Sequence, residues 1–210
     1  NKTVYISDTY GDLPTPEKAG YQFDGWYSSN TNGIKITADA KVQTLANHTL
    51  YAAWSPKTYT VSFNSNGGST APASKNVVFG DEYGTLETVS RKGYTFIGWY
   101  TAASGGTEVD ADTIFTTTSD QTLFAHWSES GSTITFDANG GSVSTKTKTV
   151  VYNSTYGTLP TPTKAGYSFD GWYTAKSGGN KITSSTKVSI TEEHTLYARW
   201  TANSFSGTFP

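Results

Sequence analysis

The histidines are the best candidates for acid–base chemistry or metal binding, because imidazole titrates near neutral pH and is a common metal ligand. His48 and His194 hold equivalent positions in two copies of an internal repeat, whereas the copy between them has Gln121 there. His126 aligns with a different residue type in each of the other copies. Since no histidine recurs in every copy, the sequence predicts no repeated imidazole base or metal ligand and favours solvated residues at strand ends.

The carboxylates are the second candidates, since glycoside hydrolysis needs two acids about 5 to 9.5 Å apart. Asp24 and Asp170 align with Ile97, so no such pair is repeated. Asp110 and Asp112 lie close together only in the middle copy, where a solvated loop pair is favoured over a cation site. Because the chain has no Cys, thiolate chemistry is excluded. We therefore predict no enzyme, with no catalytic, cofactor-binding or metal-binding residues.

Composition removes further classes of function. The net charge of −2 gives no electrostatic reason to expect a nucleic-acid partner. No apolar run reaches the roughly 20 residues of a spanning helix, so no membrane insertion is expected in this fragment. The NGG and SGG sequences lack the spacing of a phosphate loop and predict turns. The absence of Met predicts a piece of a longer polypeptide.

The elements that must position these side chains repeat with a period of 73 residues. Two tryptophan series mark the period, namely Trp26, Trp99 and Trp172, and Trp54, Trp127 and Trp200. The predicted repeats cover residues 1–54 (without its first strand), 55–127 and 128–200. Residues 201–210 resemble the first strand of a further repeat, with Phe209 in the place of Phe63 and Phe136; alternatively, this tail complements the truncated first copy.

Each copy reads as four or five short strands with little helix. In the third copy, Ile134 to Phe136 and Lys148 to Tyr152 predict a hairpin, and strands follow at Tyr167 to Tyr173 and Thr195 to Trp200. Trp172 breaks the alternation of its strand, so either it faces away from Phe169 or the glycine before it forms a bulge. The crossover, from Tyr156 to Pro162 in this copy, contains prolines that leave room for a short helical turn or an irregular connection but not for a long helix. The predicted fold is α+β and predominantly β.

Aromatic side chains are expected to form the core of a module this small, in preference to stacking on a ligand. The predicted core residues are Tyr21, Phe23, Trp26, Trp54, Tyr94, Phe96, Trp99, Trp127, Tyr167, Phe169, Trp172 and Trp200. If the Trp26, Trp99 and Trp172 series is buried, any contact must use other surfaces. The candidate contact aromatics are Tyr27, Tyr100 and Tyr173.

The ordered motifs F-x-x-NGG, Y-G-x-L-P-x-P, G-Y-x-F-x-G-W-Y and T-L-Y-A-x-W cover nearly all of each copy. Together they resemble the Listeria-Bacteroides repeat family, which includes the internalin B type B repeats. The middle copy departs from the pattern at Glu87 and Val89, which replace prolines and put the rigidity of the crossover in doubt. The resemblance implies β-grasp-like (ubiquitin-like) modules strung in series on bacterial surface proteins, without enzyme activity.

Two functions compete at this stage. The first is a spacer or stalk with an adhesive contact surface on a secreted or cell-wall-attached bacterial protein, forming an elongated monomer. Its expected partners are host-cell or neighbouring surface proteins or glycans. The alternative is a carbohydrate- or protein-binding module that uses exposed aromatic residues.

Overall fold

The computed structural model describes residues 1–204, 206 and 207. Over these residues the chain forms β-strands and turns but no helix, so the α+β expectation is wrong and the fold is all-β. The crossover explains the difference. Pro160 and Pro162 disfavour helical backbone, and the carbonyl of Pro160 accepts a hydrogen bond from the Trp172 indole instead of a helical N–H. The predicted tail, residues 201–210, lies partly outside the described residues.

Three sheets follow one another along the sequence. The first repeat has three strands in the order β2-β1-β3. The second has five, in the order β5-β4-β8-β6-β7, and the third has the matching order β10-β9-β13-β11-β12. The strand bounds are β1 (Tyr21–Tyr27), β2 (Lys35–Ile36), β3 (Tyr51–Pro56), β4 (Thr58–Asn64), β5 (Lys75–Val78), β6 (Tyr94–Tyr100), β7 (Glu108–Val109), β8 (Gln121–Glu129), β9 (Gly131–Asp137), β10 (Thr147–Val151), β11 (Tyr167–Tyr173), β12 (Lys181–Ile182) and β13 (His194–Ala202).

The backbone groups into two compact units. The first comprises Asn1–Asn66, Thr70–Thr88 and Gly98–Ala125. The second comprises Gly67–Ser69, Val89–Ile97 and the described part of His126–Pro210.

The complete third repeat shows how the sheet is built. β9 pairs antiparallel with β10, with Ile134 opposite Lys148, which confirms the predicted hairpin. β9 also pairs in parallel with β13, so the two central strands run in the same direction. A parallel pair requires a long connection between its two strands, and here the chain passes through β10, β11 and β12 before it returns as β13. The second repeat pairs β4 with β5 and β8 in the same senses.

A bulge in the third strand of the module turns the tryptophan into the core. The register of β11 against β13 shifts between Phe169 and Gly171, and Gly171 adopts φ +142°, a conformation that disfavours side chains. Trp172 follows directly and is 1% exposed. The first repeat shifts at the equivalent place, between Phe23 and Gly25. Of the two alternatives for Trp172, the bulge is therefore confirmed.

The core of the third repeat lies on one side of this sheet. Leu196 and Ala198 in β13 are fully buried, and Ile134 and Phe136 in β9 lie beside them, as the alternation of each strand requires. The other buried members are Ala138, Val143, Val150, Tyr156, Trp172, Ile182 and Val188. Phe169 and Trp200 pack against this cluster from its partly exposed margin.

The first repeat is less complete. Its described residues contain no strand equivalent to β4 or β9 beside β3. β3 begins at Tyr51, three residues later in the repeat than β8 and β13, which begin at Gln121 and His194. In the other repeats those three residues lie where the parallel neighbour pairs. Because β3 lacks this neighbouring strand, it is shorter than β8 and β13.

Candidate functional site

The indole rings of the Trp26, Trp99 and Trp172 series hold the crossover of each repeat. Trp99 is 2% exposed and Trp172 1%, whereas Trp26 is half-buried. Each indole Nε1 donates to a crossover carbonyl 12 residues earlier: 2.7 Å to Pro14, 2.8 Å to Glu87 and 2.8 Å to Pro160. Because Glu87 accepts the same bond as the prolines, the middle crossover keeps this anchor. The fully buried indoles present no face for stacking on a ligand.

The remaining aromatics predicted for the core lie at its margin. Phe23 packs against Trp54, Phe96 against Trp127 and Phe169 against Trp200, with ring centroids 5.4, 5.6 and 5.6 Å apart. All six rings are half-buried, as are Tyr21 and Tyr94. Tyr167 differs, because it is 41% exposed and therefore lies outside the buried core.

The candidate contact aromatics Tyr27, Tyr100 and Tyr173 are half-buried at the ends of their strands. The guanidinium of Arg199 lies 4.0 Å from the centroid of the Tyr173 ring, within the range of a cation–π interaction. Arg199 also donates from Nη2 to the carbonyl of Ala175 at 3.3 Å, which holds it over the ring. Burial raises the pKa of Tyr100, and the negative charge of Glu108 raises it further. These rings therefore keep only part of their surface available for contact.

A tyrosine–histidine pair is the main feature that the sequence patterns did not reveal. Tyr156 Oη lies 2.8 Å from His194 Nε2 in the third repeat, and Tyr10 Oη lies 2.6 Å from His48 Nε2 in the first. In the second repeat the Tyr83 hydroxyl donates to the side-chain oxygen of Gln121. The two histidines are therefore not merely solvated strand-end residues, since each contacts a buried tyrosine.

The hydrogen-bond direction follows from the other imidazole nitrogen. His194 Nδ1 lies 3.0 Å from the carbonyl oxygen of Glu192, which can only accept. Nδ1 therefore carries the proton, and Nε2 accepts from Tyr156, just as the amide oxygen of Gln121 accepts from Tyr83. Burial raises the pKa of Tyr156 and of Tyr83. Both phenols remain neutral donors near pH 7 and are suited to structural hydrogen bonding rather than to proton abstraction.

The carboxylates of Asp24, Asp170 and Asp110 accept hydrogen bonds from nearby Ser and Thr hydroxyl groups. Asp24 accepts from Ser55 at 2.6 Å, and Asp170 accepts from Thr201 at 2.9 Å. The Asp110 carboxylate accepts from the Thr113 hydroxyl at 2.6 Å, which lowers the pKa of Asp110. Across residues 1–204, 206 and 207, no group of three or more His, Asp or Glu side chains is placed to hold a metal ion.

The asparagines of the NGG sequences fasten turns. Asn66 and Asn139 both adopt φ +48°, the left-handed conformation that asparagine tolerates. Their amide groups donate to carbonyls of the closing strands, at 3.0 Å to Ala125 and 3.1 Å to Ala198. The turns predicted at the NGG sequences are confirmed, and each one is tied to its own sheet.

A groove of about 920 Å³ opens in the first repeat beside Tyr10, Trp26 and His48. At the equivalent place in the third repeat, the ring of Phe136 packs against Trp172 with the ring centroids 4.8 Å apart. Phe63 contacts Trp99 in the same way in the second repeat. The first repeat has no described counterpart of Phe63 or Phe136. This explains why Trp26 is more exposed than its two equivalents.

Sequence comparison identifies the repeated module. The sequence model of the Listeria-Bacteroides repeat domain matches residues 1–53, 59–126 and 133–199. The chain belongs to the Listeria-Bacteroides repeat family. In these repeats the ordered motifs supply the bulge, the crossover anchor and the closing strand.

Three relatives of this chain are each considerably longer than it is. A putative membrane protein of Evansella cellulosilytica is 36% identical over 91% of the chain and 28% of its own length. Internalin H of Listeria monocytogenes is 41% identical over 54% of the chain and 20% of its own length. A putative Gly-rich membrane protein of Evansella cellulosilytica is 30% identical over 94% of the chain and 23% of its own length. The chain therefore spans less than a third of each relative.

Among the described residues, none lies in a helix of the length and apolarity that a membrane crossing needs.

Proposed function

We propose that this chain is a non-catalytic repeat region of a bacterial secreted or cell-surface protein, where it acts as a spacer. Membership of the Listeria-Bacteroides repeat family supports this proposal, as do relatives named as an internalin and as putative membrane proteins. The parallel pair β9 and β13, flanked by antiparallel strands, further leads us to propose a β-grasp-like sheet whose crossover lacks a helix.

One observation carries the proposal: the polar groups that recur in the repeats bond to the module itself. The indole nitrogens bind crossover carbonyls. The ammonium group of Lys148 donates to the carbonyls of Tyr156 at 2.6 Å and Thr158 at 2.9 Å, and Lys75 contacts the equivalent carbonyls of Tyr83 and Thr85. Side chains used in this way stabilise a repeated fold. A spacer requires a stable fold and does not require a reactive centre.

The spacer role is tested by small-angle X-ray scattering. Repeats joined by only a few residues, as at Trp54–Tyr59, lead us to propose an elongated monomer. A compact protein of 210 residues would have a radius of gyration of about 17 Å. We expect a clearly larger radius together with a monomeric mass. A monomer with a radius near the compact value would contradict the spacer proposal.

A second function has its own support in the partly exposed Tyr27, Tyr100 and Tyr173. A half-buried tyrosine is a common contact residue, since it combines apolar area with a polar hydroxyl. We propose a glycan- or protein-contacting surface as the alternative role. It requires that a triple Tyr→Ala variant lose at least about tenfold in affinity for a bacterial or host surface preparation. Tyr5→Ala is the matched control, because Tyr5 is exposed but outside this series.

A further inference from the structure

The exit of the chain from each repeat follows one rule. After the closing strand, a backbone N–H donates to the carbonyl of the glycine that directly precedes β1, β6 or β11. Lys57 donates to Gly20 at 2.8 Å, Ser130 to Gly93 at 2.9 Å and Asn203 to Gly166 at 2.9 Å. The chain therefore always leaves a repeat beside this glycine.

At the first two of these glycines the next repeat supplies an aromatic cover. Phe79 directly follows β5, and its ring lies so close to Gly20 that a Cβ there would be 2.5 Å from the ring carbons. Phe79 also meets Tyr21 edge-on, with centroids 5.5 Å apart. These residues all belong to the first compact unit. The joint works because Gly20 has no side chain.

The joint beside Gly93 is built in the same way, within the second compact unit. Tyr152 directly follows β10, and a Cβ on Gly93 would lie 2.4 Å from the Tyr152 Cβ. The ammonium group of Lys92 lies 5.1 Å from the centroid of the Tyr152 ring. Gly20 and Gly93 are both buried in consequence.

The third repeat presents the same arrangement on an exposed surface. Gly166 has φ +79°, matching the +79° and +80° of its two equivalents. Lys164 lies 4.4 Å from the centroid of the Tyr167 ring, as Lys18 and Arg91 lie 3.8 and 3.9 Å from Tyr21 and Tyr94. However, no heavy atom among the described residues would meet a Cβ at Gly166, and both Gly166 and Tyr167 are exposed.

We propose that Lys164, Gly166 and Tyr167 form a docking surface for the opening hairpin of a further repeat that follows directly in the same polypeptide. The residue that docks is the aromatic in the position of Phe79 and Tyr152. The bond from Asn203 to Gly166 favours this occupant, because it directs the chain past the surface just as the two earlier joints do. This docking extends an aromatic joint from repeat to repeat and is independent of any partner of the array.

Ring-current shifts in NMR spectra of the present chain calibrate the test. A ring stacked against a glycine moves the Hα resonances of that glycine upfield. We expect this shift at Gly20 and Gly93 and not at Gly166. Phe79→Ser should remove it only at Gly20, and Tyr152→Ser only at Gly93.

The decisive experiment adds a fourth repeat by joining a second copy of residues 130–202 directly after residue 202. The Hα resonances of Gly166 should then move upfield to resemble those of Gly93. Placing Tyr152→Ser in the added copy alone should reverse the shift. A folded fourth repeat that leaves Gly166 unshifted would overturn the proposal. So would a concentration-dependent shift at Gly166 in the three-repeat chain, since the occupant would then be another molecule.

A thermodynamic comparison covers the case in which the serine variant does not fold. Gly166→Ala carries the same backbone strain in the three-repeat and four-repeat chains, because φ is +79°. Only in the four-repeat chain would the new methyl group meet an aromatic ring. We expect a larger loss in the unfolding midpoint there. Equal losses in both chains would contradict the docking surface.

Discussion

Tyr156 Oη and His194 Nε2 lie 2.8 Å apart, and this bond joins the buried Tyr156, at the start of the crossover of the third repeat, to the start of its closing strand. The equivalent bond uses His48 in the first repeat and Gln121 in the second. What the position requires is a neutral hydrogen-bond acceptor, because the buried phenol must donate. Imidazole and amide side chains both meet this requirement.

His194→Gln should therefore be nearly neutral for the stability of the third repeat, whereas His194→Leu should cost about 1–3 kcal/mol by leaving the Tyr156 hydroxyl without an acceptor. Urea unfolding followed by NMR signals of the third repeat measures both variants. Gln121→His in the second repeat is the reverse control and should also be nearly neutral. Equal losses for the glutamine and leucine variants would show that the bond contributes little.

Trp172→Phe should destabilise the third repeat by about 2–4 kcal/mol, since it removes the bond to Pro160 and leaves a cavity. Trp26→Phe should cost less, because Trp26 is half-buried beside the open groove. Local unfolding free energies from hydrogen exchange allow the comparison. A larger loss at Trp26 than at Trp172 would conflict with the difference in packing.

Lys148→Met should cost about 1–2 kcal/mol, because methionine keeps the apolar stem but loses the bonds to the carbonyls of Tyr156 and Thr158. The loss should appear as faster amide exchange in the crossover. Lys146→Met is the matched control at an exposed position two residues earlier and should have little effect. If the two variants exchange alike, the lysine does not fasten the crossover.

Asp137→Asn should make the third repeat less sensitive to acid. The backbone N–H of Asn139 donates to Asp137 at 2.8 Å and lowers its pKa, and Lys176, 3.2 Å away, lowers it further. A lowered folded-state pKa stabilises the fold above the unfolded-state pKa, and this contribution is lost as pH falls through the folded value.

The asparagine variant keeps the turn, as Asn64 shows by accepting from the N–H of Asn66 at 2.9 Å. We expect wild type to lose stability more steeply than Asp137→Asn between about pH 5 and pH 3 in thermal unfolding. Parallel curves for the two proteins would show that Asp137 does not contribute to acid sensitivity.

The sequence was sufficient for the features that depend on local pattern. The hairpin of Ile134 with Lys148 follows from alternation around a turn, and the glycine before Trp172 indicates the bulge as one of two alternatives, between which the register shift decides. The crossover is less well determined by the sequence, which is compatible with either a short helical turn or an irregular connection, and the structure has the irregular connection. Its conformation depends on a bond between Trp172 and Pro160, which are brought together only by folding.

The pairing of Tyr156 with His194 escaped prediction for a similar reason. Residue type at this position differs between the copies, since the middle copy has Gln121, so residue identity alone gives no repeated signal. The informative signal was a constant separation of 38 residues between a tyrosine and a side-chain acceptor in all three copies. The exposure of Tyr167, in contrast, depends on which neighbours cover it, and no pattern within its own strand contains that information.

The central proposal is that the recurring aromatic and polar side chains stabilise the fold of each repeat and do not bind a ligand. Hydrogen exchange of the tryptophan indole N–H groups, measured by NMR with and without bacterial surface glycans, tests it most directly. We predict strong protection at Trp99 and Trp172, weaker protection at Trp26, and unchanged resonances at Trp99 and Trp172 on adding glycan. Rapid exchange at Trp99 and Trp172, or glycan-induced shifts of their indole signals, would contradict it.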